Sequence, residues 1–390
     1  MKLFFKYLKH ILFIGTIGYF VIYPILHTLE EINPLKKELS DFRFTDIYFG
    51  HFKDKKIDND IILVDIGFKN SEKTRIEITD FLNLVNENFK PKVIALDVDF
   101  KYDTTVSNEV NNNLILALKD DNISMYYDLI KINNQWLKDK SEINIDYSGI
   151  SEGYTNCLVE KDAFGVLRFF QPYLINQKDT LKHLSLVIAE SFGSTINTDL
   201  MVNKKTMINF GYSFNNIRDI TDTTKLEIFK DKIVIVGLFT KNNLDQPLYN
   251  DDVHYTSSNK NYLGKSFPNM YGGEVLATIV ANIKDNSFIK YYHNLSFILN
   301  IILSFIIYFL LLYFKTFFHE LYGTIEILIK FIFVIFFILI SIYFIGKSNI
   351  YIDLTMVGII SFFAVEFVGP IDHLIDRFES WITKFKTNRK

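Results

Sequence analysis

Four long apolar stretches fix the frame into which everything else in this chain must fit. Residues 11–29 (ILFIGTIGYFVIYPILHTL) form an uncharged run of 19, which at about 1.5 Å of helical rise per residue crosses a hydrocarbon layer about 30 Å thick. Three further spans crowd the other end, at 296–314, 327–345 and 354–371. A cleaved leader carries a shorter apolar core of about 7–15 residues and then a small-residue cleavage site. Here Leu29-Glu30-Glu31-Ile32-Asn33 comes directly after the run, which therefore reads as an uncleaved anchor.

Orientation is set by where Lys and Arg collect. With four spans, Lys2, Lys6 and Lys9, then Lys315, then Arg377, Lys384, Lys386, Arg389 and Lys390 all fall on one side, while the opposite loop holds only Lys347. The expected layout is a cytoplasmic stub at 1–10, the anchor, an exported domain at 30–293, three further spans, and a cytoplasmic tail at 372–390. This places the protein in a bacterial inner membrane as a multi-pass chain with both termini cytoplasmic and 30–293 periplasmic. The cytoplasmic pieces are too short to fold as catalytic domains. A formal net charge of −3 does not suggest nucleic acid as a partner, and the single cysteine, Cys157, rules out a disulfide scaffold.

Within 30–293 short β-rich runs alternate with helical periodicity. Ile61–Ile66 (IILVDI) reads as a buried strand, Thr74–Phe89 as an amphipathic helix stopped by Pro91, and Lys92–Val98 (KVIALDV) as a second strand, parallel to the first. Val110, Leu114, Ile115 and Leu118 mark another helix, and Ile123–Ile130 another strand. Strands at Phe164–Leu174, Met207–Phe210 and Lys232–Gly237 and helices at Thr180–Phe192 and Gly273–Ile283 complete the pattern. The expected fold class is α/β, a single exported domain on a mixed, partly parallel sheet, joined to a four-helix transmembrane region.

Motifs for catalysis are weak. Asp97-Val98-Asp99 after an apolar strand has the outline of an aspartyl phosphatase nucleophile, but Lys101 stands where Thr or Val belongs and no later acidic pair supplies magnesium ligands. Asp97, Asp99 and Asp103 lack the ligand number and turn glycine of a calcium loop. Asp251, Asp252 and His254 form another small acid/His cluster in a loop. There is no HExxH, GxSxG, P-loop or GxGxxG, so neither enzymatic activity nor a cofactor or metal is expected.

Two membrane-associated features remain. Glu366 lies within the last span, where an ionisable side chain is costly unless paired, and Lys330 of the preceding span is a candidate relay partner. The alternative is that Lys330 snorkels and Glu366 reaches headgroup water. In the tail, Ile371, Leu374, Ile375, Phe378, Trp381, Ile382 and Phe385 repeat at helical spacing, an apolar stripe for docking on membrane lipid or on a partner protein.

The order of these segments resembles the second type of CHASE domain, an extracytoplasmic sensory module. The resemblance rests on the acid-ended strand at Asp65, on PKVIALDVDF with Asp97 and Asp99, and on Asp162-Ala163-Phe164-Gly165-Val166-Leu167-Arg168. It continues through FKDKIVIVG ending at Gly237, Asp252-Val253-His254-Tyr255-Thr256, and Pro268-Asn269-Met270-Tyr271-Gly272. The resemblance implies sensing or signature roles for Asp65, Asp97, Asp99, Asp162, Gly165, Arg168, Gly237, His254, Tyr271 and Gly272, and a homodimer. Against the family pattern, Phe164, Ser257 and Asn269 replace Asp, Pro and Asp, Leu276-Ala277 replaces His-Ala, and no output domain comes after the last span. The expected function is sensing of a periplasmic ligand or partner, relayed through the helices to an effector in trans. The alternative is a structural or assembly subunit of an envelope complex.

Overall fold

The computed structural model describes residues 43–354 except 68, 99, 101–102, 128, 133–134, 139–149, 157–165, 177–178, 198–199, 201–204, 240–252, 261–268 and 318–321, together with 357, 373, 377 and 380. The stub, the first span, nearly all of the last span and most of the tail lie outside the described residues. So do Asp99, Cys157, Asp162, Gly165, Asp251, Asp252, Glu366, Leu374, Phe378 and Trp381.

Asp46–Lys290 forms one compact unit. Its first residues, Asp46 and Ile47, close a short helix, α1 (Phe44–Ile47), that continues as a π turn over Tyr48–Phe52. Then come β1 (Lys56–Asp65), α2 (Ser71–Asn88), β2 (Val93–Leu96), α3 (Asn108–Ala117) and β3 (Ile123–Tyr127). Asn70 and Ser107 cap α2 and α3 by accepting from Lys73 N and Val110 N, which fixes where each helix starts. A hairpin of β4 (Leu129–Ile132) and β5 (Gln135–Lys138) precedes β6 (Ser151–Tyr154). After β7 (Phe169–Phe170), the strands β8 (Tyr173–Asn176) and β9 (Asp179–Lys182) make a second hairpin leading into α4 (Leu184–Phe192). The unit closes with β10 (Thr206–Met207), β11 (Tyr212–Ile217), a 3₁₀ turn at Thr223–Phe229, β12 (Ile233–Gly237), a pair of short strands β13 (Val253–His254) and β14 (Met270–Tyr271), and α5 (Gly272–Asp285).

Six strands build the central sheet in the order β11-β1-β12-β2-β3-β6. Among the described residues every pairing in it is parallel, where a mixed sheet is expected from the sequence; antiparallel pairs occur in separate two-stranded elements. β1 and β2 are parallel but not neighbours, because β12 sits between them and pairs with both. The reason is burial. Ile62, Val64, Ile94, Leu96, Val234 and Val236 face α2, α3 and the 3₁₀ turn, whereas Ile61, Leu63, Val93, Ala95, Ile233 and Ile235 face α4 and α5. Runs apolar on both faces are stable only with a helical layer on each side.

Four of the sequence-based elements need correction. The run Ile123–Ile130 splits at Tyr127, because Leu129 donates its N–H to the Asn156 side chain and starts a hairpin. Phe164–Leu174 is interrupted at Pro172, which has no N–H for a ladder; its carbonyl accepts from His183 N. Residues 180–182 belong to β9, and α4 starts only after His183, whose Nδ1 caps it by accepting from Ser185 N. Of Met207–Phe210 only Met207 is in a strand, and the edge strand β11 escapes the sequence pattern because Asn215 and Asn216 break its apolar run.

The second unit is described at residues 43–45, at 291–317, at 322–354 and at a few later positions. It contains α6 (His293–Phe317) and α7 (Tyr322–Ser348), the two described helices long and apolar enough to cross a membrane. They contain the expected spans 296–314 and 327–345, and Lys330 lies within α7. The turn after α7 is tied to the first turns of α6 by Asn300, whose Nδ2 donates to the Ser296 and Asp353 carbonyls while its Oδ1 accepts from Val357 N. Asp353 N donates to Ser296 Oγ.

Candidate functional site

Parallel strands end on the same edge of a sheet, and here the central three end in unusual residues. Asp65 closes β1, Gly237 closes β12, and Asp97 comes directly after β2. Side chains alternate along a strand; since residues 61, 63, 93, 95, 233 and 235 face α5, so do Asp65, Asp97 and Gly237. The ladder aligns them, because Asp65 pairs with Gly237 and Asp97 N donates to Val236 O. The outcome is a row of acid, glycine, acid across three strands. Its setting is special: from β1 the chain leaves to α2 on one face, and after β12 the next long helix, α5, lies on the other. In open parallel sheets ligands bind in the crevice outside the carboxyl ends of strands whose connections diverge in this way.

Asp65 is committed to backbone. It is buried, and its Oδ1 accepts from Gly67 N at 2.9 Å and from Phe239 N at 3.0 Å. Gly67 has φ +63°, the left-handed conformation this tight turn needs. The amino end of α5 roofs the row: a methyl on Gly273 would stand 3.0 Å from Asp97 Oδ2. Glu274 reaches back to accept from Tyr271 N at 3.0 Å, one half of a capping box. Carboxylates at a helix amino end are stabilised by the orphan N–H donors and the helix dipole. Tyr271 and Gly272, both singled out from the sequence, thus sit at this roof, and β13 places Val253 opposite Tyr271 with His254 opposite Met270. Burial holds the His254 imidazole below its ordinary pKa. Among the described residues no group of three His, Cys, Asp or Glu is placed to hold a metal ion.

Arg168 does something else. Its Nε and Nη2 donate to Asp46 Oδ1 and Oδ2 at 3.0 and 2.5 Å, and both side chains are 4% exposed. Leu167 N donates to Tyr255 O and Ile208 N to Arg168 O, so the segment carrying Arg168 is held on both sides. The Arg of the signature segment therefore fastens the helical segment at 46–52, helped by an edge-to-face contact of Phe49 with Phe210 and by Gly50, where an added Cβ would meet the Asn259 carbonyl at 3.0 Å. Nothing in the sequence points to Asp46 as its partner.

The departures from the family pattern also acquire reasons. Asn269 accepts from Thr256 N through Oδ1 and donates to Ser258 Oγ through Nδ2, a double role an ionised Asp cannot fill. Leu276 packs in the apolar layer with Leu63 and Ile235, where His would be poorly accommodated. The residue that sequence reading misses is Phe239, which lies among Asp65, Asp97, Gly237 and Gly273. The double glycine before a helical repeat is the only signal of it.

Among the described residues, a parallel sheet between two helical layers, with the acid-glycine-acid row at its point of diverging connections, defines an α/β domain, succeeded in sequence by helices of membrane-spanning length. The chain belongs to the CHASE2 domain family, whose model matches residues 20–313. CHASE2 domains are extracytoplasmic sensory modules, and this chain carries one. No curated relative and no solved structure shows a match to it.

Proposed function

We propose that the protein is a multi-pass inner-membrane sensor whose periplasmic Asp46–Lys290 unit takes a ligand or partner at the crevice between Asp65 and Asp97 and relays its state to a separate protein. One observation carries this reading. α5 begins as the roof of the crevice, at Gly272 and Gly273, and ends at Asp285, with only residues 286–292 before α6. A hydrogen-bonded helix of this length moves as a rod, so a shift of its first turn is felt at its last. The Lys and Arg bias supports the orientation, and the tail stripe of Leu374, Phe378 and Trp381 supports a docking step on a partner or on lipid. Lys330 and Glu366 are the intramembrane relay candidates. The reading is non-enzymatic and needs no cofactor, in line with the lack of a catalytic motif; a second copy of the chain is the partner the family resemblance suggests.

A second reading is favoured by the state of the crevice. Asp65 and Glu274 are spent on backbone donors, as befits a permanent assembly subunit. Two measurements separate the readings. Alkaline phosphatase inserted within residues 100–250 is expected to be active; an inactive fusion at normal expression would overturn the periplasmic sensor. Affinity purification in mild detergent across growth conditions is expected to return partners that change with condition. A fixed, stoichiometric envelope complex would select the assembly role.

A further inference from the structure

The glycine in the acid-glycine-acid row leaves a gap, and the chain fills it with its own side chain. Phe239, two residues past the strand, is 3% exposed and turns back over Gly237. Its N–H is held by Asp65 Oδ1. A Cβ built on Gly237 would lie 3.3 Å from the ring's Cζ, and one built on Gly273 would lie 2.7 Å from both Cε1 and Cζ. Two glycines on different elements, β12 and α5, are therefore bare where they face the same ring. Asp97 completes the enclosure, with its Cβ and carbonyl 3.4 Å from the Gly237 Cβ position. Three of the residues singled out from sequence, Asp65, Asp97 and Gly237, thus adjoin one residue that is not among them.

We propose that Phe239 is an internal occupant of the ligand place: its ring and an entering ligand compete for the slot between Gly237 and Gly273. This rests on the crevice being the sensing site, but the exchange of the ring can be tested with neither a natural ligand nor a signal. The slot also defines the ligand's chemistry. It holds one ring between Gly237 of β12 and Gly273 of α5, with Asp97 beside it, so it takes a flat apolar group. Release of the ring removes the packing partner of the first turn of α5, which ties occupancy to the helix that leads to α6.

The test uses the full chain in detergent micelles with 4-fluorophenylalanine incorporated at position 239 and a soluble gadolinium chelate as broadening agent. In the native background one ¹⁹F resonance protected from the chelate is expected. Gly273→Ala adds a methyl that overlaps the ring, and alanine is the better helix former, so the expected result is a shifted resonance broadened by the chelate while α5 keeps its hydrogen-exchange protection. A ring that stays protected in folded Gly273→Ala overturns the proposal, because the slot would then be a fixed part of the core. A second arm stands if Gly273→Ala does not fold. Phe239→Ala is titrated with indole, and a saturable rise in melting temperature of about 3 °C at tenfold excess over Kd is expected, larger than in the native chain. No rise, or an equal rise in both, overturns it.

Discussion

Replacing Asp46 with Asn tests whether Arg168 is a fastener or a sensing group. The substitution keeps the shape of the side chain and removes its charge, taking from a guanidinium that is 4% exposed the carboxylate it grips with two nitrogens. Removing one partner of a buried pair costs about 3–5 kcal/mol, because the remaining charge stays desolvated. For a domain of this size each kcal/mol moves Tm by about 2–4 °C, so Asp46→Asn is expected to lower Tm by about 6–20 °C. Arg168→Met removes the other charge and keeps much of the apolar stem. Combining the two leaves two groups of similar size and no charge, so the double variant is expected to recover more than half of the loss of Asp46→Asn. The assay is thermal unfolding of the full chain in detergent, monitored by intrinsic tryptophan fluorescence, for native, both single variants and the double. A shift under about 2 °C for Asp46→Asn, or losses that simply add in the double, would refute the fastening role and return Arg168 to the sensing residues.

Two buried positions elsewhere in the unit give further tests. His183 is fully enclosed between the rings of Tyr154 and Phe170, its Nδ1 accepts from Ser185 N, and burial pushes its pKa down to about 3. The folded state therefore refuses a proton that the unfolded chain accepts below about pH 6.5, so stability falls as pH drops through that value, by about 1 kcal/mol between about pH 7 and 5.5. His183→Asn keeps a capping acceptor and should flatten that slope in Tm measured against pH; an unchanged slope would place its origin elsewhere. Gly153 lets β6 meet the start of α4, since an added Cβ would lie 2.5 Å from Leu184 Cα. Here the obstacle is backbone, not a movable ring end, so Gly153→Ala is expected to cost about 1–3 kcal/mol. A variant as stable as the native chain in denaturant titration would contradict this.

Much of the crevice can be read from three short strings. ILVD, VIALD and IVIVG are each apolar on both faces, which calls for a parallel sheet buried on both sides, and their last residues share strand parity with the same buried set. Strand periodicity alone thus assigns Asp65, Asp97 and Gly237 to matching faces. It does not say that β12, late in the chain, inserts between β1 and β2. Pairing partners are chosen by the most complete burial of long-range apolar runs, and that choice leaves no local mark. The same holds for Arg168: its type and position are legible, but its role depends on Asp46, 122 positions away.

Local chemistry is written directly into the chain. It marks where apolar runs are long enough to span a bilayer, where strands and helices alternate, and which positions carry the family's signature. The roles of those positions were settled by packing between distant segments. Folding turned the signature acid Asp65 into an acceptor for two backbone N–H groups, the signature Arg168 into a buried fastener, and Gly237 and Gly273 into the walls of a slot that holds Phe239. A side chain's role depends on the groups that desolvate it and complete its hydrogen bonds, and in a three-layer fold those groups come from remote parts of the chain.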